Sequence, residues 1–240
     1  MDPRLSATHG AFQSRPVVCI CNYGLHGPEL HFMARPLEFD LEKARDKALL
    51  LFWQKGYQAT SLPNLLVAMG ISRSSFYAAF SDKRTLFVAC LELFAQRTQQ
   101  VLLKAESDKP PLDALQFFFE RHLNGPGRGK ASLGCLLVNT VLEMAGVDDE
   151  LAETASRHLA DIQHLFERCL LHAGCPGDRA RELASMLMLL NEGVRVASRR
   201  RLSVSEQLDP IATTFRVLRT QIANPIAWLS SIPLSNGASS

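Results

Sequence analysis

The sequence lacks several features that would place it quickly in a large class of proteins. Its 240 residues contain no apolar run near the ~20 residues of a membrane-spanning helix, so we predict no membrane segment. The net charge is only +2, too small to indicate a nucleic-acid partner by itself. With 47% hydrophobic, 21% charged and 8% aromatic residues, the composition is that of a globular protein, long enough for a small domain with a larger companion.

The cysteine content does not indicate a disulfide scaffold. The chain is long for such a scaffold, and its apolar run at 16–20 is too short for a signal peptide, so we expect free thiols in a cytoplasmic protein. The N-terminal cysteines and histidines follow no standard zinc spacing; they are His9, Cys19, Cys21, His26 and His31. The glycine-rich segment 124–130 lacks the strand and the Lys-Ser/Thr pair of a phosphate-binding loop. We predict neither a metal nor a cofactor.

Apolar residues recur at helical spacing from residue 40 onward, and no segment shows the convincing alternation of a strand. This pattern predicts an all-α fold. Two prolines in 106–111 mark the clearest boundary along the chain. The predicted helices are 40–55, two short helices between 60 and 80, 82–105, 112–123, 133–145, 148–173, 178–200 and 205–223.

The most informative segment is 60–86. Pro63 is tolerated only in the first turn of a helix, Gly70 provides the backbone freedom of a tight turn, and Ser72 can cap the helix that follows. That second helix buries Phe76 and Phe80 and leaves short polar residues near its N-terminus. The segment therefore predicts a helix-turn-helix, whose second helix enters the major groove of DNA by that end.

These residues resemble the N-terminal domain of the TetR (tetracycline repressor) family over roughly 39–87. The matching positions are the aromatic residue after Gly56, then Thr60, Gly70, the pair Phe76 and Tyr77, Phe80, Lys83 and Leu86. Leu66 and Pro63 depart from the usual family residues without disturbing the turn. The resemblance implies a homodimeric repressor that binds a near-palindromic double-stranded DNA operator and responds to an unidentified small-molecule effector.

On this basis we expect residues 1–32 to be a disordered or non-native extension. Residues 33–84 form the helix-turn-helix domain, 85–229 the ligand-binding and dimerisation domain, and 230–240 a flexible tail. The resemblance places the dimer interface on the last two helices, 178–200 and 205–223. Their apolar stripes, which also suit an intramolecular core, are Leu183, Met186, Leu187, Leu190 and Val194, and Ile211, Phe215 and Leu218.

Several polar residues of the motif are candidates for DNA contact. Arg73 has the geometry for bidentate contact with guanine, and two small serines beside it allow a deep fit in the groove. The resemblance makes Tyr77 a phosphate contact, and Lys83 opens a helix whose free N–H groups also favour phosphate. The alternative is an ordinary solvated surface. The predicted DNA-binding residues are Thr60, Ser61, Ser72, Arg73, Ser74, Ser75, Tyr77 and Lys83.

In the second domain, Cys135 follows a basic loop at the start of a helix, where the thiol pKa is expected to be lowered. Segment 132–143 also resembles the Gly-Cys-Leu segment of a TetR branch that includes electrophile- and oxidant-sensing repressors, which makes a thiol-based sensor the alternative function. A buried, inert cysteine is the simpler interpretation. A cysteine-dependent enzyme using His122 or His158 is remote, since no oxyanion or cofactor motif is present, and we predict no enzymatic activity. The predicted ligand-binding residues are Phe117, Phe118, Cys135, Asn139 and Glu143.

Overall fold

The structure is a computed structural model that describes residues 40–124, 133–200 and 202–223. All regular secondary structure in these ranges is helical, in agreement with the predicted all-α fold, and none of the described helices is both long and apolar enough to cross a membrane. The helices are α1 (Leu41–Lys55), α2 (Leu62–Met69), α3 (Arg73–Phe80), α4 (Lys83–Asp108), α5 (Pro111–Asn124), α6 (Leu136–Met144), α7 (Asp149–His172), α8 (Gly177–Ala197) and α9 (Val204–Ala223).

The first three helices form a compact head against the start of α4. Their starts are set by capping side chains: Asp40 accepts a hydrogen bond from the Lys43 amide, and Ser61 forms a capping box with Asn64. Gly70 ends α2 in the left-handed conformation that glycine adopts without steric cost. Apolar side chains from all four helices meet in the centre and are almost wholly buried; they include Phe52, Leu65, Phe76 and Leu86.

The remaining helices surround the rest of α4. Helices α5 and α7 pack on α4, α6 and α8 pack on α7, and α9 packs on α5. An aromatic cluster joins three of these helices, because the Phe119 ring centroid lies 5.5 Å from those of both Phe166 and Phe215. Rings at this spacing add favourable edge-to-face contacts to the burial of apolar surface.

Most predicted helices are present with shifted ends. Helix α4 continues to Asp108, so the predicted break at 106–111 is confined to Lys109 and Pro110. Lys109 is extended (φ −139°, ψ 152°) because a following proline disfavours the helical conformation. Helix α6 begins at Leu136 instead of 133 because Gly134 has a φ of +73° and Cys135 is extended. The predictions for 1–32, 230–240 and most of the 124–130 loop lie outside the described residues.

Candidate nucleic-acid interface and its contact with the second domain

Helix α3 presents a small polar face outward. Arg73, Ser74, Tyr77 and Ala78 are exposed, whereas Phe76 is buried in the head. Positions i, i+1, i+4 and i+5 share one side of a helix, so the four exposed side chains form a single surface. Ala78 was missed in the sequence analysis, although its spacing from Arg73 would have placed it there; a methyl side chain of this kind can pack against a thymine methyl group.

The serines at the start of α3 form a local hydrogen-bonded group. The Ser72 hydroxyl caps the helix by accepting a hydrogen bond from the Ser75 amide at 3.1 Å. Its oxygen also lies 2.9 Å from the Ser74 hydroxyl and 2.8 Å from the Ser75 hydroxyl. The backbone N–H groups of Arg73 and Ser74 lie in the unpaired first turn, the end of a helix that favours phosphate oxygens.

The structure does not support the predicted phosphate contact of the Thr60 side chain. Thr60 is wholly buried, and its hydroxyl donates a 2.6 Å hydrogen bond to the Gly56 carbonyl. This bond fixes the turn before α2 and leaves the hydroxyl no exposed surface for DNA. Ser61 is exposed, but its hydroxyl donates a hydrogen bond to Oδ1 of Asn64 and accepts one from the Asn64 amide.

Lys83 lies at the start of α4 with its ammonium 4.2 Å from the centroid of the Tyr57 ring. Partial burial lowers the pKa of this ammonium, and the Glu143 carboxylate acts in the opposite direction. The stacking is a cation–π contact, which uses none of the three N–H donors of the ammonium. Lys83 therefore keeps its hydrogen-bonding capacity while being held against the turn between α1 and α2.

Glu143 of α6 joins the second domain to the head. Its two carboxylate oxygens accept hydrogen bonds from the backbone amides of Tyr57, at 3.0 Å, and Gln58, at 2.8 Å. The carboxylate sits directly on Gly56, since a Cβ atom there would lie only 2.7 Å from Oε2 of Glu143. We call this contact the Glu143 clasp. Glu143 was predicted as a polar group in an apolar ligand pocket. In the structure, both of its carboxylate oxygens accept hydrogen bonds from backbone amides of the head.

An ion pair forms a second contact between the head and the second domain. The Arg84 guanidinium of α4 contacts the carboxylates of Asp148, at 3.0 Å, and Glu150, at 2.9 Å. Asp148 also caps α7 by accepting a hydrogen bond from the Leu151 amide, so the ion pair connects the start of α4 to the start of α7. Neither link was foreseen, because residues 57 and 143 are too far apart in sequence for periodicity to relate them.

A cavity of about 310 Å³ lies beside the clasp. Its walls come from the end of α1 and the following turn, from Phe87 of α4, from α6, and from Arg199 beyond the end of α8. We call it the junction cavity. Its lining residues are Phe52, Trp53, Gln54, Lys55, Gly56, Tyr57, Phe87, Leu136, Asn139, Thr140, Leu142, Glu143 and Arg199.

The five predicted ligand-binding residues do not form one site. Asn139 and Glu143 line the junction cavity. Phe118 is buried in the aromatic cluster, and its neighbour Phe117 lies about 100° further round α5, where its ring packs near the Lys109 ammonium at 5.3 Å. Cys135 lies at the start of α6 and is 4% exposed.

The expected lowering of the Cys135 pKa is wrong. Burial raises the pKa of this thiol, and the nearby positive charge of Arg195 opposes the shift only in part. Desolvation disfavours the thiolate more than the helix start stabilises it. Of the histidines considered as partners, His158 lies 3.8 Å from the Asp161 carboxylate, and the side chain of His122 lies outside the described residues.

Comparison with known proteins agrees with this geometry. The model of the bacterial regulatory proteins of the tetR family matches residues 45–90, and the model of the transcriptional regulator LmrA/YxaF-like C-terminal domain matches residues 111–213. An uncharacterised HTH-type transcriptional regulator of Bacillus subtilis, YezE, is 30% identical over 150 residues, covering 61% of this chain and 76% of the relative. The chain belongs to the TetR family. It is therefore a DNA-binding transcriptional regulator, and α3 is the second helix of its helix-turn-helix, which we call the recognition helix.

Two further proteins extend the comparison. The HTH-type transcriptional repressor ComR of Escherichia coli is 28% identical over 191 residues, which span 76% of this chain and 90% of ComR. The crystal structure of a regulatory protein TetR from Rhodobacter sphaeroides superposes with a TM-score of 0.64 at 22% identity, covering 72% of this chain and 95% of that one. The shared fold thus includes both the head and the second domain.

Proposed function

We propose that this protein is a dimeric, cytoplasmic repressor that binds a near-palindromic operator and is released from it by a small molecule. The observation that carries the proposal is the outward face of α3, where Arg73, Ser74, Tyr77 and Ala78 are exposed together. Because Phe76 and Phe80 anchor the opposite face in the head, the polar face projects as a rigid unit suited to the major groove.

Base recognition is assigned to the side chains that extend furthest from this face. Arg73 is exposed and suited to guanine, Ala78 offers a methyl group for thymine, and Tyr77 reaches the backbone through its hydroxyl. The exposed serines support the fit: Ser61 and Ser72 hold the two helix starts, and Ser74 is exposed beside them. Lys83 is kept as a phosphate contact, since its ammonium stacks on the Tyr57 ring at the start of α4 and a cation–π contact uses no N–H donor.

The surface of α8 supports a dimer. Leu183, Leu187 and Val194 of the predicted stripe are buried within the protomer, so they contribute to its own core. Met186 of the same stripe is 45% exposed at its edge, and Leu189 and Val196, further round α8, are 71% and 48% exposed. Exposed apolar side chains along one helix indicate a surface that binds a partner. In a two-fold dimer, this surface of one protomer packs against the same surface of the other.

A dimer of this kind presents two α3 helices to successive major grooves, about 34–36 Å apart in regular DNA. The spacing is fixed by α4 and by the contacts that hold the head on the second domain. A ligand that binds one arrangement of these contacts better than the other shifts the spacing and lowers operator affinity by its difference in affinity for the two states.

The test is selection of bound sequences from a random DNA pool, followed by affinity measurements on the recovered site. We expect a near-palindrome with half-sites one helical turn apart. Arg73→Ala should relax base preference at one position per half-site, and Lys83→Ala should weaken all sequences alike and reduce the salt dependence by about one unit. Arg157→Ala, an exposed arginine on α7, is the control and should change neither property. No enriched site, or wild-type behaviour of both head variants, would refute the proposal.

A further inference from the structure

The junction cavity has the properties of a small-molecule site. Its volume of about 310 Å³ lies at the lower end of the range for ligand pockets. Leu142, which is 70% exposed, and the half-buried Trp53 and Tyr57 give the wall its accessible apolar surface, while Lys55 and Arg199 are exposed at the rim. Apolar surface with polar groups beside it is typical of sites that bind small organic molecules.

The charges of the cavity favour an anionic ligand. The Arg199 guanidinium donates a single long hydrogen bond, 3.3 Å, to Oδ1 of Asn139 among the described residues, which leaves most of its five N–H donors available. Lys55 adds a second cation. The one carboxylate on the wall, Glu143, is already engaged by two backbone N–H groups, so the rim as a whole presents excess positive charge.

A ligand in the junction cavity lies next to the contact between Glu143 and the head. The same wall that holds Arg199 and Asn139 carries Glu143 one turn further along α6. A second carboxylate in this space repels that of Glu143. The repulsion weakens the attachment of the turn at Tyr57 and Gln58, and so biases the head towards a different position.

We infer that the junction cavity is an effector site for a small monocarboxylate with an apolar body, and that Glu143 reports its occupancy to the recognition helix. The inference rests on the proposed function, since the readout is operator affinity. It assigns the carboxylate of the ligand to Arg199 and Lys55 and its apolar body to Trp53, Tyr57 and Leu142, and it makes Glu143 a positioning residue.

Benzoate and its neutral isostere benzamide are suitable probes, used with the full chain. Trp53 lines the cavity, and replacing Trp228, the second tryptophan of the sequence, by phenylalanine makes the intrinsic fluorescence specific to it. We expect benzoate to change Trp53 fluorescence saturably and to lower operator affinity, with benzamide at least tenfold weaker in both. Arg199→Gln should weaken benzoate binding about tenfold, while the control Arg157→Gln leaves it unchanged.

Glu143→Gln tests the coupling separately from binding. Benzoate should still change Trp53 fluorescence in this variant, but its effect on operator affinity should fall several-fold. The inference is overturned by the absence of a saturable benzoate response, by an equal response to benzamide, or by full coupling in Glu143→Gln. Operator binding without any probe is measured in every variant: its absence in the wild-type protein refutes the proposed function, whereas normal binding that ignores benzoate refutes only the effector site.

Discussion

Gly56 offers a direct perturbation of the Glu143 clasp. Its backbone has φ 83° and ψ 171°, a region that essentially only glycine occupies, and any other residue there costs about 1–3 kcal/mol in strain. An alanine Cβ would also lie 2.7 Å and 2.9 Å from the two Glu143 oxygens. The carboxylate must then move away, and the amides of Tyr57 and Gln58 lose their charged acceptor.

The two costs can be separated with a double-mutant cycle. Hydrogen bonds to a charged group contribute about 1.5–3 kcal/mol each when buried, and we take about 2 kcal/mol for the pair because the Gln58 amide is exposed. Gly56→Ala should therefore destabilise the protein by about 3–5 kcal/mol. In a Glu143→Ala background the carboxylate is absent, so the same change should cost only the strain of about 1–3 kcal/mol, which gives a coupling near 2 kcal/mol.

The assay is urea unfolding of the four proteins at one fixed protomer concentration, because the stability of the proposed dimer would depend on that concentration. Gly146→Ala is the strain control: its φ is also positive, at +75°, but nothing lies within 4 Å of the added Cβ. It should cost about 1–2 kcal/mol regardless of residue 143. Equal costs of Gly56→Ala in both backgrounds would show that the carboxylate does not hold the turn, and the clasp would be wrong.

Two further predictions concern the second domain. Leu189→Glu should convert the dimer to a monomer and lower operator affinity at least tenfold, as measured by sedimentation and DNA binding; Val147→Glu, also exposed, should do neither, and an intact Leu189→Glu dimer would exclude this face of α8. Cys135 should resist iodoacetamide at pH 8 in the native protein and react after unfolding, since the thiol is buried and burial raises its pKa; rapid native modification detected by mass spectrometry would contradict its burial.

Local patterns were sufficient to predict the head. Ser72, Gly70 and the apolar spacing of Leu65 and Met69 act within one turn of their own helix, so their effects are visible in a short segment. Thr60 shows where this reasoning fails. A threonine before a helix can bond its side chain either outward or back to the preceding turn, and only the position of Gly56 decides which.

The second domain was predicted less well because its decisive contacts join helices that are far apart in the sequence. The helical pattern gives the face of α6 that is buried, but not which helix covers it. The thiol-sensor alternative required Cys135 at an accessible helix start, whereas packing against the end of α8 buries it, as the simpler interpretation predicted. The packing there is close, since a Cβ atom on the neighbouring Gly134 would lie 3.2 Å from the Arg195 carbonyl oxygen. The burial then reverses the direction of the thiol pKa shift.

Helix α4 and the Glu143 clasp connect the head to the second domain in different ways. Helix α4 is continuous from Lys83 to Asp108 and packs against α1, so it carries the head as a unit. The clasp holds the turn between α1 and α2 on α6, and therefore restricts movement of that turn relative to the second domain. A ligand need not bend α4 to misplace the recognition helix. In the proposed mechanism, an effector that weakens the two hydrogen bonds at Glu143 removes one of the two polar contacts that hold the head on the second domain, and the ion pairs of Arg84 with Asp148 and Glu150 are left to hold it alone.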